Sequence, residues 1–403
     1  MSLWSKILSS LRRELLEVMR DRLYLSSLLL MPTLMILFFT AMFYRGTIES
    51  LPIVVVDVDD SIMSRRVVSM IDATRGVDVR YEAQSMDEAE GFMLSGKAAG
   101  VVYIADGFEA NIYHGIPTEV ECYISGASIS AAGVVESDVQ QAVRTFSAGV
   151  ALGKLQAMGV AYTQAMIDVM PVNFHTYTIS NPYLNYGYYL APVFMFMGIV
   201  IFTVLITIFA IGRELYYATA PAWLSSASGS LSAALIGKLL PTTVVMVVFM
   251  QMIFFVLFVV MGMDCRGNYL ILTLGSIVFI LAYQSVAVFI IALVANMRLA
   301  LSLGGGYSVM AFTFSGITFP TMSMYAVAQI FAHLFPLTYF SDLFIDQAAR
   351  GVDDESGVFE VGAMLLFLLL VPIVWRRLKR VLSNEKYLKR DEYELVKYLY
   401  VSD

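Results

Sequence analysis

The 403-residue sequence is 58% hydrophobic and 15% charged, with 26 Phe and 24 Met, whereas soluble domains carry about 25% charged residues. Its net charge of −7 leaves no broad basic surface and excludes nucleic acid as a partner. Two cysteines, Cys122 and Cys265, are too few for a disulfide framework or a thiolate metal site.

Residues 1–22 repeat Leu3, Trp4, Ile7, Leu8, Leu11, Leu15 and Met19 at helical spacing beside Arg and Glu, which predicts a cytoplasmic helix lying on the membrane surface. The apolar stretch that follows is too long for a cleavable signal and has no small-x-small cleavage site. No charge then occurs between Arg22 and Arg45, Asp168 and Arg213, Lys238 and Asp264, Arg266 and Arg298, or Arg298 and Asp342. Uncharged apolar runs of about 18 residues or more are long enough to cross a bilayer as helices. Spans are predicted at 23–44, 188–211, 239–261, 270–295 and 299–319, with a shorter sixth at 358–375.

The fold class expected is a polytopic α-helical membrane protein of six transmembrane helices, with an inserted mixed α/β extracytoplasmic domain at 45–187. In that domain strands are predicted at 52–58, 77–81, 98–104 and 119–124, and helices at 61–73, 87–94 and 129–158. It holds 17 Asp or Glu against 8 Lys or Arg. Six spans put both termini on one side. The basic residues of segment 1–22 and of the tail 376–403 make that side cytoplasmic by the positive-inside rule.

Chemical motifs are absent. Asp57, Asp59 and Asp60 lack the bend glycine and closing acid of a calcium loop, and read as a strand end before the helix cap Ser61. The stretch from Gly91 to Ala98 fits seven places of a phosphate loop, but has Ala98 where Ser or Thr should bind magnesium, and it follows a helical pattern. His114, His175 and His333 belong to no catalytic or zinc motif. No metal or cofactor is expected on this chain, and no catalytic residue. Within the spans, Gln251, Tyr283, Gln284, Ser285 and Asn296 are the polar groups that most need partners; they either line a substrate path or bond helix to helix. A path without fixed charge, rich in Phe and Met, suits an amphipathic or hydrophobic cargo.

Two segments carry a family resemblance. The first is Gly212-Arg213-Glu214-Leu215 with Thr219, Pro221, Trp223 and Leu224, then Gly237-Lys238-Leu239-Leu240-Pro241. The second is Phe314-Ser315-Gly316-Ile317-Thr318-Phe319-Pro320, followed by Met324, Gln329 and Phe335-Pro336-Leu337-Thr338-Tyr339. With the opening of the exterior domain and the six spans, the chain resembles ABC type-2 exporter permeases that carry a large insertion between their first two helices. It departs from them at Ala218, where members usually have Gly, and at Met324-Tyr325, where they have Met-Pro.

The resemblance implies a transport subunit of the bacterial inner membrane, with ATP and magnesium held by separate cytoplasmic ABC ATPase subunits. A second permease, identical or homologous, completes the dimer, and a periplasmic adaptor with an outer-membrane channel belongs to systems of this type. Segment 212–238 would be the coupling loop: Arg213 and Glu214 anchor it by ion pairing, while Leu215, Tyr216, Thr219 and Trp223 form or support the face set into the ATPase. Phe314, Ser315, Gly316, Phe319, Pro320, Phe335 and Pro336 would form an outer gate, followed by short re-entrant helices over 320–347, since irregular backbone at membrane depth must be enclosed by protein or water. The small residues Ser302, Gly304, Gly305, Gly306, Ser308 and Ser315 suit close contact with the second permease. The reading from another class is a membrane-anchored sensor or scaffold whose exterior domain binds a ligand or partner.

Overall fold

The uncharged stretches become long helices. The structure, a computed structural model, describes residues 2–44, 46–172, 181, 185–316, 319–352, 354–384 and 387. Arg45, His175, Ile317, Thr318, Lys386 and the tail beyond Tyr387 lie outside the described residues. The chain divides into two units, one of Met1–Gly46 with Thr178–Asp403 and the other of Thr47–Tyr177.

In the first unit, α1 (Leu3–Arg20) is capped by Ser2 and leads into α2 (Arg22–Phe43). After the second unit come α8 (Tyr186–Tyr216), the short α9 (Ala220–Ser226), α10 (Leu231–Val260), α11 (Tyr269–Val294) and α12 (Met297–Phe314). Two short helices, α13 (Ala326–Ala332) and α14 (Pro336–Phe344), precede α15 (Gly357–Ser383). Among the described residues five helices are long and apolar enough to cross a membrane: α2, α8, α10, α11 and α15. The expected six are therefore not all found. The shortfall is α12, at the place of the span predicted over 299–319. It has 18 residues, carries Arg298 in its first turn and includes Gly304, Gly305 and Gly306, all of which lower its hydropathy.

Helix α8 is the centre of this unit. Its residues Phe196, Ile199, Val200, Val204 and Ile208 are fully buried, and α2, α10, α11 and α12 all pack on it. Phe39 and Phe43 of α2 stack on Phe194 with centroids 5.2 and 6.0 Å apart. The small residues of α12 are divided. Gly304 sits against Val204 and Ile208 of α8, and Ser308, Ala311 and Ser315 are buried on the same stripe, whereas Gly305 and Gly306 face open space. Much of the face expected to meet a second permease is thus used within the chain.

The unit Thr47–Tyr177 holds a four-stranded sheet in the order β2-β1-β3-β4. Strands β1 (Leu51–Asp57), β2 (Val77–Glu82) and β3 (Gly100–Ile104) are parallel, and β4 (Val120–Ile124) runs antiparallel to β3. Central β1 buries Ile53, Val54, Val55 and Val56 in succession, as a parallel strand covered on both faces should. Ile53 and Val55 join α3 (Ile62–Asp72), α5 (Phe108–His114) and α6 (Ile129–Ala157) in one core, and Val54 and Val56 join α4 (Met86–Leu94) in another. A last helix, α7 (Tyr162–Val169), packs on α6. The acids Asp57, Asp59 and Asp60 organise this fold. Asp57 accepts from the Ser64 hydroxyl at 2.6 Å, Asp59 accepts from the Glu109 N–H at 3.1 Å, and Asp60 pairs with Arg65 at 2.6 Å. Gly91 lies inside α4, so the phosphate-loop likeness has no loop to stand on.

Candidate functional site

The densest polar cluster lies where α1 crosses the end of α8, the short helix α9 and the start of α10. Glu214, in the last turn of α8, and Lys238, in the second turn of α10, are both buried, and Lys238 is 0% exposed. The Lys238 ammonium lies 2.8 Å from Glu214 and also pairs with Glu14 of α1. Arg13 completes the set by donating two bonds to Glu214, at 2.6 and 3.0 Å. Two carboxylates and two cations thus neutralise one another where water cannot. Burial works against the charge of Arg13, and the Glu214 carboxylate beside it outweighs that and raises its pKa.

Hydrogen bonds take up the remaining lone pairs. Thr219 donates to Glu214 at 2.6 Å and Tyr24 donates to Glu14 at 2.8 Å. The Lys238 ammonium also lies 4.9 Å from the Trp223 ring centroid. Arg213 makes a second, shallower set, 3.1 Å from Glu17 and 3.5 Å from Asp21, with the rings of Tyr24, Phe209 and Tyr217 around it.

Close backbone approach makes this possible. A Cβ on Gly237 would stand 2.6 Å from the Ile7 carbonyl oxygen and 2.7 Å from the Ser10 Cβ, so only glycine lets α1 lie this near α10. Ser10 donates to the Ala234 carbonyl at 3.0 Å, and the Trp223 indole N–H reaches Ser10 and Ala234 at 3.3 Å each. Ser9 donates to the Ser226 carbonyl at 2.7 Å. The loop before α9 turns through Ala218 at φ 56°, the left-handed region that favours glycine.

Of the loop residues expected to meet an ATPase, Leu215 and Trp223 are 3% and 1% exposed. Their apolar surface is already packed within this chain, so neither can seat in a partner's groove. Tyr216 is half-buried beside Arg298, whose guanidinium lies 5.7 Å from its ring centroid. The exposed positions of α9 are Pro221, Ala222 and Ser225. Arg13, Glu14 and Tyr24 were not among the expected site residues. The signal for Glu14 is its place between Ser10 and Val18 at i, i+4 and i+8, a buried stripe whose two polar members apolar periodicity assigns to water.

The second motif builds an aromatic cluster. Phe314 meets Phe331 at 5.0 Å and stacks over Phe335 at 6.2 Å, and Tyr307 meets Phe335 at 5.0 Å. Phe335, Pro336 and Ser315 are buried, whereas Phe319 and Pro320 are exposed and stand outside the cluster. Gly316, at φ 82°, follows the end of α12 in the left-handed region, and the Gln329 amide donates to the Thr321 and Met324 carbonyls at 3.1 Å each. A cavity of about 380 Å³ beside Gly316 and Pro320 is lined by Tyr188, Tyr189, Phe344 and Asp342. The surrounding protein and the Asp346 carboxylate push the pKa of Asp342 up to about 6, against the pull of Arg350 and His333.

The five polar residues expected in a path do not converge. Gln251 bonds to Ser276 at 3.3 Å and accepts from Tyr269 at 2.9 Å, and Gln284 accepts from Thr243 at 2.8 Å. Tyr283 accepts the Leu337 N–H at 3.2 Å, Ser285 donates to the Leu281 carbonyl at 2.8 Å, and Asn296 caps α12. Each is satisfied by bonds within or between helices, and none lines the cavity beside Pro320. Among the described residues no group of His, Cys, Asp or Glu could hold a metal ion. Cys122 and Cys265 are free thiols in separate units.

A comparison with curated proteins finds no match. The family model described as ABC-2 family transporter protein matches residues 22–376, from the start of α2 to the basic end of α15, and the chain therefore belongs to that family of membrane transport proteins.

Proposed function

We propose that this chain is the permease subunit of an ATP-binding-cassette exporter, moving an amphipathic or hydrophobic substrate across the bacterial inner membrane with ATP hydrolysed by separate cytoplasmic subunits. It works as a dimer of permeases, with α12 as the sixth span of each and both termini cytoplasmic. The unit Thr47–Tyr177 lies outside, where an envelope adaptor leading to an outer-membrane channel would reach it. The single observation that carries the reading is the buried cluster of Arg13, Glu14, Glu214 and Lys238, which ties α1 to two helices long enough to span.

An ATPase pressing on the exposed face of α9, at Pro221, Ala222 and Ser225, would displace α1 and the ends of α8 and α10 together. Nucleotide shifts the permease between inward-open and outward-open arrangements only through different affinity for the two. The aromatic cluster around Phe314 and Phe335 serves as the outer gate, with α13 and α14 as its re-entrant helices.

The test is copurification of the gently solubilised full chain from its native membrane. An ATPase subunit should accompany the wild-type chain and be lost from Ala222→Arg and Ser225→Arg, both on exposed positions that leave the core intact. A well-folded wild-type chain that brings down no ATPase would favour the sensor or scaffold instead.

A further inference from the structure

The unit Thr47–Tyr177 contains a cavity of about 980 Å³ between α3, α5 and α6, at the upper end of the size range of small-molecule sites, which is about 300–1,000 Å³. Its floor is apolar: Met63 and Met70 come from α3, and Phe146 and Val150 from α6. Gly149 and Gly153, one turn apart on α6, open it, because a Cβ at either would meet nothing within 4 Å.

The charge of this cavity is opposite to that of its surroundings. The exterior segment holds 17 acids, yet none of the 15 residues lining the cavity is Asp or Glu. Arg66, Lys154 and His114 line it instead. Three other cations of the unit are neutralised locally, Arg65 by Asp60, Arg75 by Glu49 and Arg80 by Asp78. Arg66 is exposed and makes no ion pair among the described residues. Lys154 donates to the Ile112 carbonyl, which leaves further N–H donors on its ammonium.

We infer that this cavity binds a single-chain amphiphile with an anionic head, its tail over Met63, Met70 and Phe146 and its head between Arg66, Lys154 and His114. The apolar floor requires a hydrocarbon tail, and an acid-free basic rim in an acidic segment selects the sign of the head. A neutral amphiphile would leave the rim without a partner, and a cationic one would be repelled. Binding belongs to this chain alone and does not depend on the transport reading.

The experiment uses the full chain in a neutral sugar detergent and a laurate analogue carrying a photoreactive diazirine at its tail, with labelled peptides mapped by mass spectrometry. Labelling is expected on residues 63–70 and 145–158, displaced by laurate or dodecyl phosphate but not by dodecanol or dodecyltrimethylammonium. Stronger displacement by laurate assigns a carboxylate head, and stronger displacement by dodecyl phosphate assigns a phosphate head. Arg66→Glu should cut this labelling by about tenfold, the effect of about 1.4 kcal/mol of lost charge attraction. Gly153→Leu should abolish it by filling the opening, on a helix where leucine is favoured over glycine. Both variants should keep the wild-type elution profile and recover any ATPase partner as wild type does. Labelling of these peptides that survives both substitutions, or equal displacement by dodecanol, would overturn the assignment.

Discussion

Lys238 and Glu14 stand 224 positions apart and form an ion pair with both side chains buried, Glu214 closing the other side of the ammonium. Removing Lys238 strands the Glu14 carboxylate in a dry site and leaves Glu214 to Arg13 alone. Lys238→Met should therefore destabilise the chain by about 3–5 kcal/mol, the range for breaking a buried pair from one side. Adding Glu14→Gln should restore more than half of that, since Arg13 still neutralises Glu214. Equilibrium unfolding in mixed micelles measures both variants, and equal losses would show that the cluster is not coupled.

The approach of α1 to α10 rests on a missing side chain. Gly237→Val would drive a Cβ into the Ile7 carbonyl and Ser10, so α1 should lift off while α10 stays helical. Hydrogen exchange is the readout: protection over Leu3–Arg20 should fall, with protection over Leu231–Val260 retained.

Ala218 occupies a conformation that costs a residue with a Cβ about 1–2 kcal/mol. Ala218→Gly, the residue usual in related permeases at this place, should raise stability by about 1 kcal/mol after the greater chain entropy of glycine is subtracted. Ala218→Val should lower it. A thermal midpoint that moves the same way for both would contradict the strain.

Trp223→Ala acts on folding before it acts on any partner. Burial of the indole predicts a loss of about 3–5 kcal/mol. Ala222→Arg on the exposed side of the same helix should stay within about 0.5 kcal/mol of wild type. Thermal unfolding of the two variants separates a structural tryptophan from a docking surface.

Asp342 gives the chain a pH dependence of definite sign. Its pKa of about 6 in the folded chain lies above its ordinary value, so the native state holds this proton more tightly than the unfolded chain does. Its contribution is neutral below about pH 4, where both states are protonated, grows into a penalty as pH rises from about 4 to about 6, where only the folded chain keeps the proton, and levels off above that. Burial and the Asp346 carboxylate drive the shift, and Arg350 and His333 oppose it. Asp342→Asn should flatten the fall in thermal midpoint between about pH 4 and 6, and an unchanged slope would assign that fall to other groups.

Chain order and hydrophobic period made much of the architecture legible. The span predicted at 270–295 is the helix Tyr269–Val294, and the strand predicted at 52–58 is Leu51–Asp57. Both follow from local physics, since an uncharged run must leave water and Val-rich alternatives to helix favour a strand. Boundaries blurred where polar residues are buried. The third span begins at Leu231, eight residues before the predicted start at 239, because Lys238 is neutralised by partners and does not end the helix.

The sequence by itself determined the membrane character, the α/β insertion between the first two long helices and the resemblance to ABC-2 permeases, because hydropathy, periodicity and motif order are properties of neighbouring residues. Only the tertiary structure decided that Leu215 and Trp223 face inward, that Gln251, Tyr283 and Gln284 answer one another's neighbours across helices, and that Arg13 and Glu14 close on Glu214 and Lys238. The physical reason is that a buried charge is tolerable only beside its opposite, and for Glu14 that opposite lies 224 positions away, a distance that no local pattern spans.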